Sequence, residues 1–347
     1  MKKFDQNILD IIGETPIVKL GKVASHIDSE IYVKLEYLNP GGSIKDRIGK
    51  YICQTAMEAG ELKPGGLIVE ATSGNTGAGI ALFASVHGCQ AVFVMADKQS
   101  QEKINALKAM GAIVVLCPTA VEPDDPRSYY SVAASLVENL DCFYTNQYHN
   151  QDNPNSHYHS TGPEIFRQTE GQFDAFVAGV GTGGTISGTS KFLKQKMPDL
   201  KVIGVDPKGS ILKHFHETGE LIEAHSYVLE GLGEDFIPTT IDFKAIDKFI
   251  TVEDEESFVL TRELLQKEGI FAGGSSGAAV LGAIKYAETL DKPEKILVIA
   301  PDSGSKYVSK IYNNEWMTSH SYKLEPIDQN LCSNINSILP KTDVKIV

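Results

Sequence analysis

Short apolar segments alternate along the chain with longer stretches in which apolar residues recur at helical spacing. The segments are rich in β-branched residues and apolar on both faces, as in the strands of a covered parallel sheet. They lie at residues 31–36, 67–71, 91–96, 112–117, 175–180, 201–206 and 296–301. Helical patterns between them end at Gly60, Gly111 and Gly269, which is typical of helix C-termini. This alternation predicts an α/β fold with right-handed crossovers.

The composition is that of a folded globular protein with an acidic surface. Of the 347 residues, 42% are hydrophobic and 22% are charged, and the net charge at pH 7 is -13. Because an acidic surface repels phosphate backbones, we expect no nucleic-acid partner. The five cysteines form no CxxC pair, and the sequence shows neither a signal peptide nor an apolar run of the roughly 20 residues that a membrane helix needs. We therefore expect a cytoplasmic protein without membrane contact.

Loops rich in small polar residues follow several predicted strands, where open α/β sheets bind ligands. In residues 39–47, Lys45 opens a helix; it is either an exposed lysine beside a capped turn or an amine activated by the positive helix end. Residues 70–79 crowd hydroxyls and an amide at another helix start, which favours binding of a carboxylate or a phosphate. Residues 301–305 alone indicate only a turn and a helix cap.

The loop at residues 179–188 has two interpretations. Its glycines and threonines are typical of a phosphate cradle. Gly179, Gly181 and Gly184 also fit the GxGxxG pattern of dinucleotide-binding folds, with Asp206 about 20 residues further on, where such folds hold a ribose. The hydroxyls suit a phosphate monoester better, but a nicotinamide-dependent dehydrogenase stays an alternative.

The motifs GGSIKDR, TSGNTG, GTGGT, GGSSG and PDS occur in this order along the chain. With this set the chain resembles the fold-type II pyridoxal-phosphate (PLP) enzymes, the β-family of cysteine synthases and cystathionine β-synthases, from Ile11 to Trp316. The resemblance implies two open, twisted, mostly parallel sheets covered by helices, with the cofactor between two domains. It places a smaller domain at 46–150, a larger PLP-binding domain at 1–45 and 151–317, and a C-terminal tail at 318–347.

The resemblance also implies roles for residues at matching motif positions. Lys45 is expected to hold PLP as an internal aldimine, Asn75 to bind its ring oxygen and Ser303 to meet its pyridine nitrogen. The residues expected to cradle its phosphate are Gly181, Thr182, Gly183, Gly184 and Thr185. The residues expected to bind the amino-acid carboxylate are Thr72, Ser73, Thr76 and Gln147. No metal ion is expected.

The chemistry implied by the resemblance is β-replacement through an aminoacrylate. A hydroxyl at the pyridine nitrogen leaves the ring largely unprotonated, which disfavours a long-lived carbanion and favours β-elimination. Lys45, once released by the substrate, is expected to take the α-proton as general base. After the β-substituent leaves, a thiol adds to the intermediate.

Segments at 100–103, 146–150, 230–238 and 314–317 look more like cystathionine β-synthase than cysteine synthase. We therefore expect condensation of L-serine, or O-acetyl-L-serine, with L-homocysteine to give L-cystathionine. Tyr148 either shapes the second-substrate site or is a core residue. Glu234 departs from the family pattern, and it is either a solvated loop acid or a group that acts as a base on the incoming thiol or water or binds an amine.

Other activities stay open on the sequence alone. One alternative is a cysteine synthase that uses O-acetylserine and sulfide; another is a β-replacement enzyme that uses cysteine and releases hydrogen sulfide. A non-catalytic amino-acid-binding relative is a further alternative, against which Lys45 argues. The resemblance implies a homodimer, and we expect a catalytic core without haem and without a paired regulatory module.

Overall fold

The computed structural model describes residues 6–122 and 125–324 and confirms the α/β fold. Within these residues the strands are β1 (Ile17–Lys19), β2 (Glu30–Leu35), β3 (Leu67–Ala71), β4 (Gln90–Ala96), β5 (Ile113–Cys117), β6 (Cys142–Tyr144), β7 (Ala175–Gly179), β8 (Lys201–Pro207), β9 (Lys248–Val252) and β10 (Lys295–Ala300). The helices are α1 (Lys45–Ala59), α2 (Asn75–His87), α3 (Gln101–Ala109), α4 (Tyr129–Asn139), α5 (Asp152–His159), α6 (Thr161–Thr169), α7 (Gly184–Lys196), α8 (Leu212–Thr218), α9 (Asp254–Glu268), α10 (Gly274–Ala287) and α11 (Asn314–Ser319).

The strands form two sheets. The larger sheet has the order β1-β2-β10-β7-β8-β9, and the smaller has the order β5-β4-β3-β6. Every pairing is parallel except that of β1 with β2, so the strand ends that carry loops gather at one edge of each sheet. The limits of the two predicted domains stay predictions.

The apolar pattern located the long strands. The structure adds strands that the pattern missed and corrects the burial expected for an edge strand. The three-residue strands β1 and β6 and the five-residue strand β9 escaped the pattern because they are too short or too mixed in polarity to show a period. Strand β5 was expected to be buried on both faces, but Ile113 is 60% exposed and Leu116 is 49% exposed. The reason is that β5 is an edge strand of the smaller sheet.

Helices α1 and α2 cross at van der Waals contact through two glycines. A Cβ atom at Gly49 would lie 2.4 Å from the carbonyl carbon of Gly79, and one at Gly79 would lie 2.6 Å from the carbonyl oxygen of Lys45. Neither position has room for a side chain, so the first turns of the two helices touch backbone to backbone. This crossing places the N-terminal end of α1 beside that of α2.

A buried ionic network fixes the other side of α1. The Arg47 guanidinium donates from Nε and Nη2 to both carboxylate oxygens of Glu36, at 2.8 and 2.7 Å, and from Nη1 to Glu164 at 2.9 Å. Lys34 also donates to Glu164. Two cations therefore balance two anions, and all four side chains are at most 5% exposed. Since breaking a buried pair leaves an uncompensated charge, the network holds β2, α1 and α6 in one arrangement.

None of the helices in the described part of the chain is long and apolar enough to cross a membrane. The predicted C-terminal tail lies outside the described residues from position 325 onward.

We predict that Gly79→Ala destabilises the fold by about 1–3 kcal/mol or more, because the added methyl group forces α1 away from α2. Urea unfolding followed by circular dichroism measures the change. Gly21→Ala is the matched control, since a Cβ atom there meets nothing closer than 3.9 Å. Equal unfolding midpoints for the two variants would contradict the tight crossing.

Candidate active site

The segment that follows β10 holds two other loops in place. The Pro301 carbonyl accepts a hydrogen bond from the Ile44 N–H at 2.8 Å, and the Asp302 carbonyl accepts one from the Gly273 N–H at 2.9 Å. The Ser303 N–H donates to the Gly42 carbonyl at 3.1 Å. This short backbone segment therefore positions both the loop that precedes Lys45 and the loop that starts α10.

A cavity of about 750 Å³, here called the central cavity, opens at this point between the carboxyl ends of the strands. Its wall includes many of the residues that the sequence predicted as site residues: Lys45, Thr72, Ser73, Asn75, Gln147, Tyr148, Gly181, Thr182 and Glu234. The fold thus gathers residues more than 180 positions apart in the sequence around one space.

Lys45 is the first residue of α1 and its amine lies in the cavity wall. Burial lowers the pKa of Lys45 to about 8, although the carboxylates of Glu234 and Glu70 act in the opposite direction. The amine lies 3.4 Å from the Thr182 hydroxyl. An amine with this pKa is partly unprotonated near neutral pH, as a nucleophile or base requires.

The loop between β3 and α2 presents donors suited to a carboxylate. Within the described residues, the backbone N–H groups of Ser73, Asn75 and Thr76 donate no hydrogen bond, and they lie at the positive end of α2. Thr76 does not line the cavity; its hydroxyl donates to Gln147 Oε1 at 2.6 Å. Gln147 is held as well by the Ala71 carbonyl, to which it donates at 2.9 Å.

The glycine-rich loop before α7 forms a second, smaller cavity of about 40 Å³, which also reaches Lys45. In the described structure, the backbone N–H groups of residues 181–185 make no hydrogen bond. They lie at the start of α7, where their partial positive charges are available to an anion. Gly183 has φ of 80°, and a Cβ atom there would lie 2.0 Å from the Ile241 side chain. The loop therefore fits a phosphate group, and Lys45 lies beside it.

The hydroxyl of Thr185 is within hydrogen-bond distance of the buried imidazole of His157. His157 Nε2 lies 3.2 Å from Thr185 Oγ1, and His157 Nδ1 lies 2.9 Å from Thr161 Oγ1. Burial holds the pKa of His157 well below its usual range, and the charges of Lys45 and Arg47 lower it further. The ring is therefore neutral, with one nitrogen as donor and one as acceptor.

The structure does not place Ser303 in the wall of either cavity. Its hydroxyl instead lies 2.9 Å from the Ser305 hydroxyl and caps a short 3-10 helix. Ser275, in the first turn of α10, lines both cavities and is 4% exposed. The sequence signal for Ser275 is the GGSSG motif, which the resemblance includes without a role for its serines.

Glu234 faces Lys45 across the central cavity. Burial raises the pKa of Glu234 to about 8, the neighbouring Asp235 raises it further, and the charge of Lys45 lowers it. The backbone of Glu234 is fixed by Ser210, whose hydroxyl accepts from its N–H at 3.0 Å. The carboxyl group forms no hydrogen bond within the described residues, and it is available to a ligand.

An aromatic wall surrounds Glu234, and the sequence predicted only one of its members. Tyr148 packs edge to face on Phe236 with ring centroids 5.2 Å apart, and Tyr130 packs on the same ring at 5.6 Å. Tyr129 and Tyr227 also line the cavity. The signal available for Tyr129 and Tyr130 is their place directly after the turn-rich loop at 121–128.

Asp206, the residue on which the nicotinamide alternative depended, does not line either cavity. It is 1% exposed, and its carboxylate accepts the Lys213 N–H at 2.9 Å. Asp206 therefore binds the backbone at the start of α8 and does not face either cavity.

Comparison with known proteins agrees with this geometry. The family model described as "Pyridoxal-phosphate dependent enzyme" matches residues 8–302. The chain is 44% identical over 331 residues to a cystathionine beta-synthase of Apis mellifera, which covers 94% of this chain and 65% of that protein. It is 42% identical over 304 residues to a cysteine synthase of Staphylococcus aureus, which covers 87% of this chain and 95% of that protein.

A solved structure is similar over its whole length. The O-acetylserine dependent cystathionine beta-synthase from Helicobacter pylori is 38% identical, with a TM-score of 0.82 over 90% of this chain and 100% of that one. The chain spans 65% of the length of the Apis mellifera relative and 58% of that of the Mus musculus relative.

We predict that Glu234→Gln changes how the stability of the cofactor-free protein depends on pH. The folded protein holds the Glu234 proton up to about pH 8, while the unfolded chain releases it near the ordinary value of 4.5. The wild type therefore loses stability as the pH rises through this window, by at most about 1.4 kcal/mol for each unit by which the two pKa values differ, and the variant lacks this loss. Urea unfolding between pH 5 and 9 measures it, with Glu223→Gln on the exposed loop as control. A stability difference that is constant with pH would contradict the raised pKa.

Proposed function

Because the chain belongs to the family of pyridoxal-phosphate dependent enzymes, we propose that it catalyses β-replacement, joining L-serine or O-acetyl-L-serine to L-homocysteine to form L-cystathionine. One observation carries the proposal. The amine of Lys45, with its lowered pKa, lies between a carboxylate-binding loop and a phosphate cradle in the wall of one cavity. An amino acid bound at the first loop therefore has its Cα near that amine.

The residues present fit pyridoxal phosphate. The N–H groups of residues 181–185 and the Thr185 hydroxyl would hold its phosphate, and Lys45 would hold it covalently. Asn75 would bind the ring oxygen. The buried hydroxyl of Ser275, at the start of α10, would take the role at the pyridine nitrogen that the resemblance implied for Ser303.

When bound, the cofactor supplies the electron sink that makes loss of the Cα proton and of the β-substituent feasible. The protein supplies position and proton transfer. Thr72, Ser73 and Gln147 bind and orient the donor carboxylate, so that the Cα–H bond faces Lys45. Lys45 Nζ accepts that proton, for which a pKa of about 8 is well matched.

The acceptor side of the cavity indicates a thiol larger than sulfide. Glu234, with a pKa of about 8, is a stronger base than an ordinary carboxylate and is matched to a thiol, whose usual value is about 8.5. Tyr148 and Tyr130, which line the cavity and pack on Phe236, supply apolar ring surface for the carbon chain of an amino-acid thiol. Sulfide alone would use neither the ring surface nor the volume.

A second candidate uses cysteine as both donor and acceptor. One cysteine loses its sulfur as hydrogen sulfide, and the thiol of a second cysteine adds to give lanthionine. The carboxyl group of Glu234 also fits this candidate, because its raised pKa of about 8 is matched to the thiol of the second cysteine. Cysteine synthesis from O-acetylserine and sulfide is a further alternative, and the homodimer and the cytoplasmic location stay predictions.

We predict that Lys45→Ala loses the covalently held, yellow cofactor and lowers kcat by about 10²–10⁴-fold, because a general base is removed. Absorption after gel filtration and steady-state rates measure the two effects. Lys292→Ala, on an exposed loop, is the matched control and keeps both colour and rate. Unchanged colour and rate in Lys45→Ala would contradict the proposal.

We predict that the wild-type enzyme forms cystathionine from homocysteine and either L-serine or O-acetyl-L-serine. Mass spectrometry of products from each donor, paired with homocysteine, cysteine or sulfide, identifies the reaction. Lanthionine and sulfide from cysteine alone would assign the second candidate instead. A protein that neither binds PLP nor forms any of these products would overturn the proposal.

A further inference from the structure

The amide of Asn75 lies between two charged side chains from the segment after β10. Its Oδ1 accepts a hydrogen bond from the ammonium group of Lys306 at 2.7 Å, and its Nδ2 donates to the carboxylate of Asp302 at 2.8 Å. Asn75 also lines the central cavity, whereas Lys306 and Asp302 do not. The two charged residues therefore contact a cavity-lining side chain without lining the cavity themselves.

These contacts leave one orientation for the amide. Turning it over would place the carbonyl oxygen against a carboxylate and the NH₂ group against an ammonium, and both contacts are repulsive. In the observed orientation Oδ1 accepts from the ammonium group and one Nδ2 hydrogen is used. The second Nδ2 hydrogen is left as a donor for a ligand, while Oδ1 is directed at Lys306.

Both charged residues are themselves held in place. Lys306 donates to the Gly41 carbonyl at 3.0 Å, in the loop that leads to Lys45. Asp302 is 1% exposed and accepts the Tyr307 hydroxyl at 2.7 Å, while the Ser275 hydroxyl lies 3.5 Å away. Burial lowers the pKa of Lys306, and the charges of Asp302 and Asp46 raise it. The ammonium group of Lys306, held by the Gly41 carbonyl, thus adjoins the amide.

We propose that Lys306 and Asp302 are positioning residues that lock Asn75 as a donor to an anionic ring oxygen of the cofactor. The inference rests on the proposed function, in which Asn75 binds that oxygen. Because the ammonium lies one amide group behind the donor, its charge also favours the deprotonated form of the oxygen. The same pair joins the Lys45 loop, the start of α2 and the segment after β10.

The test uses the purified holoenzyme and measures the affinity for PLP and the visible absorption of bound cofactor between pH 6 and 9. Lys306→Met removes the charge and the donor at nearly constant volume. We expect it to weaken PLP binding about tenfold and to move the loss of the visible band to higher pH than in the wild type, because removing the cation disfavours loss of the proton. Lys306→Arg keeps the charge and is expected to restore most of the band. Lys292→Met is the matched control and leaves both readouts at their wild-type values.

Asp302→Asn provides a second, independent variant, because it removes the anion that orients Nδ2. It is expected to weaken PLP binding in the same direction. If wild-type protein binds PLP with a visible band and neither Lys306→Met nor Asp302→Asn changes band or affinity, the inference is wrong while the proposed function stands. If wild-type protein binds no PLP, the proposed function fails first. The midpoints of urea unfolding show whether a variant has lost stability, or whether it stays folded and has lost only the orientation of the Asn75 amide.

Discussion

The glycine contact between α1 and α2 is the constraint on which the site depends. Because Gly49 and Gly79 leave no space between the two helix backbones, the start of α1 and the start of α2 cannot move apart without losing the crossing. Lys45 opens one helix and Asn75 opens the other. The Lys45 amine and the loop that starts α2 therefore belong to one rigid unit, although they come from different parts of the sequence.

Charges buried behind this unit fix it to the larger sheet. Arg47, two residues after Lys45, is paired with Glu36 and Glu164, and Lys306 reaches across to Asn75. Each of these contacts has a cost in desolvation that only complete pairing offsets. Their common effect is to restrain the backbone before and after Lys45, through Gly41 and Arg47.

The electrostatics of the cavity differ from those of the whole protein. The net charge is -13, but the groups that face an anion are backbone N–H groups at two helix starts and a lysine. Across the same cavity the pKa values of Lys45 and Glu234 both lie at about 8, because burial disfavours the charge on each. An acid and a base of matched strength thus face each other where donor and acceptor would meet.

The sequence by itself determined the fold class, the long strands and most of the candidate site. The spacing of apolar residues and the order of the motifs can be read directly from neighbouring positions in the chain, without knowledge of tertiary contacts. The ordered set of motifs, through the family resemblance that it carries, singled out Lys45, Asn75 and the loop at 181–185 as candidate site residues. Only the tertiary structure showed that Ser275 and not Ser303 lines the cavities, which aromatic rings pack together, and that β5 is an edge strand. Which hydroxyl reaches a cavity, and which strand has a single neighbour, depend on contacts between distant segments, and no local pattern carries that information.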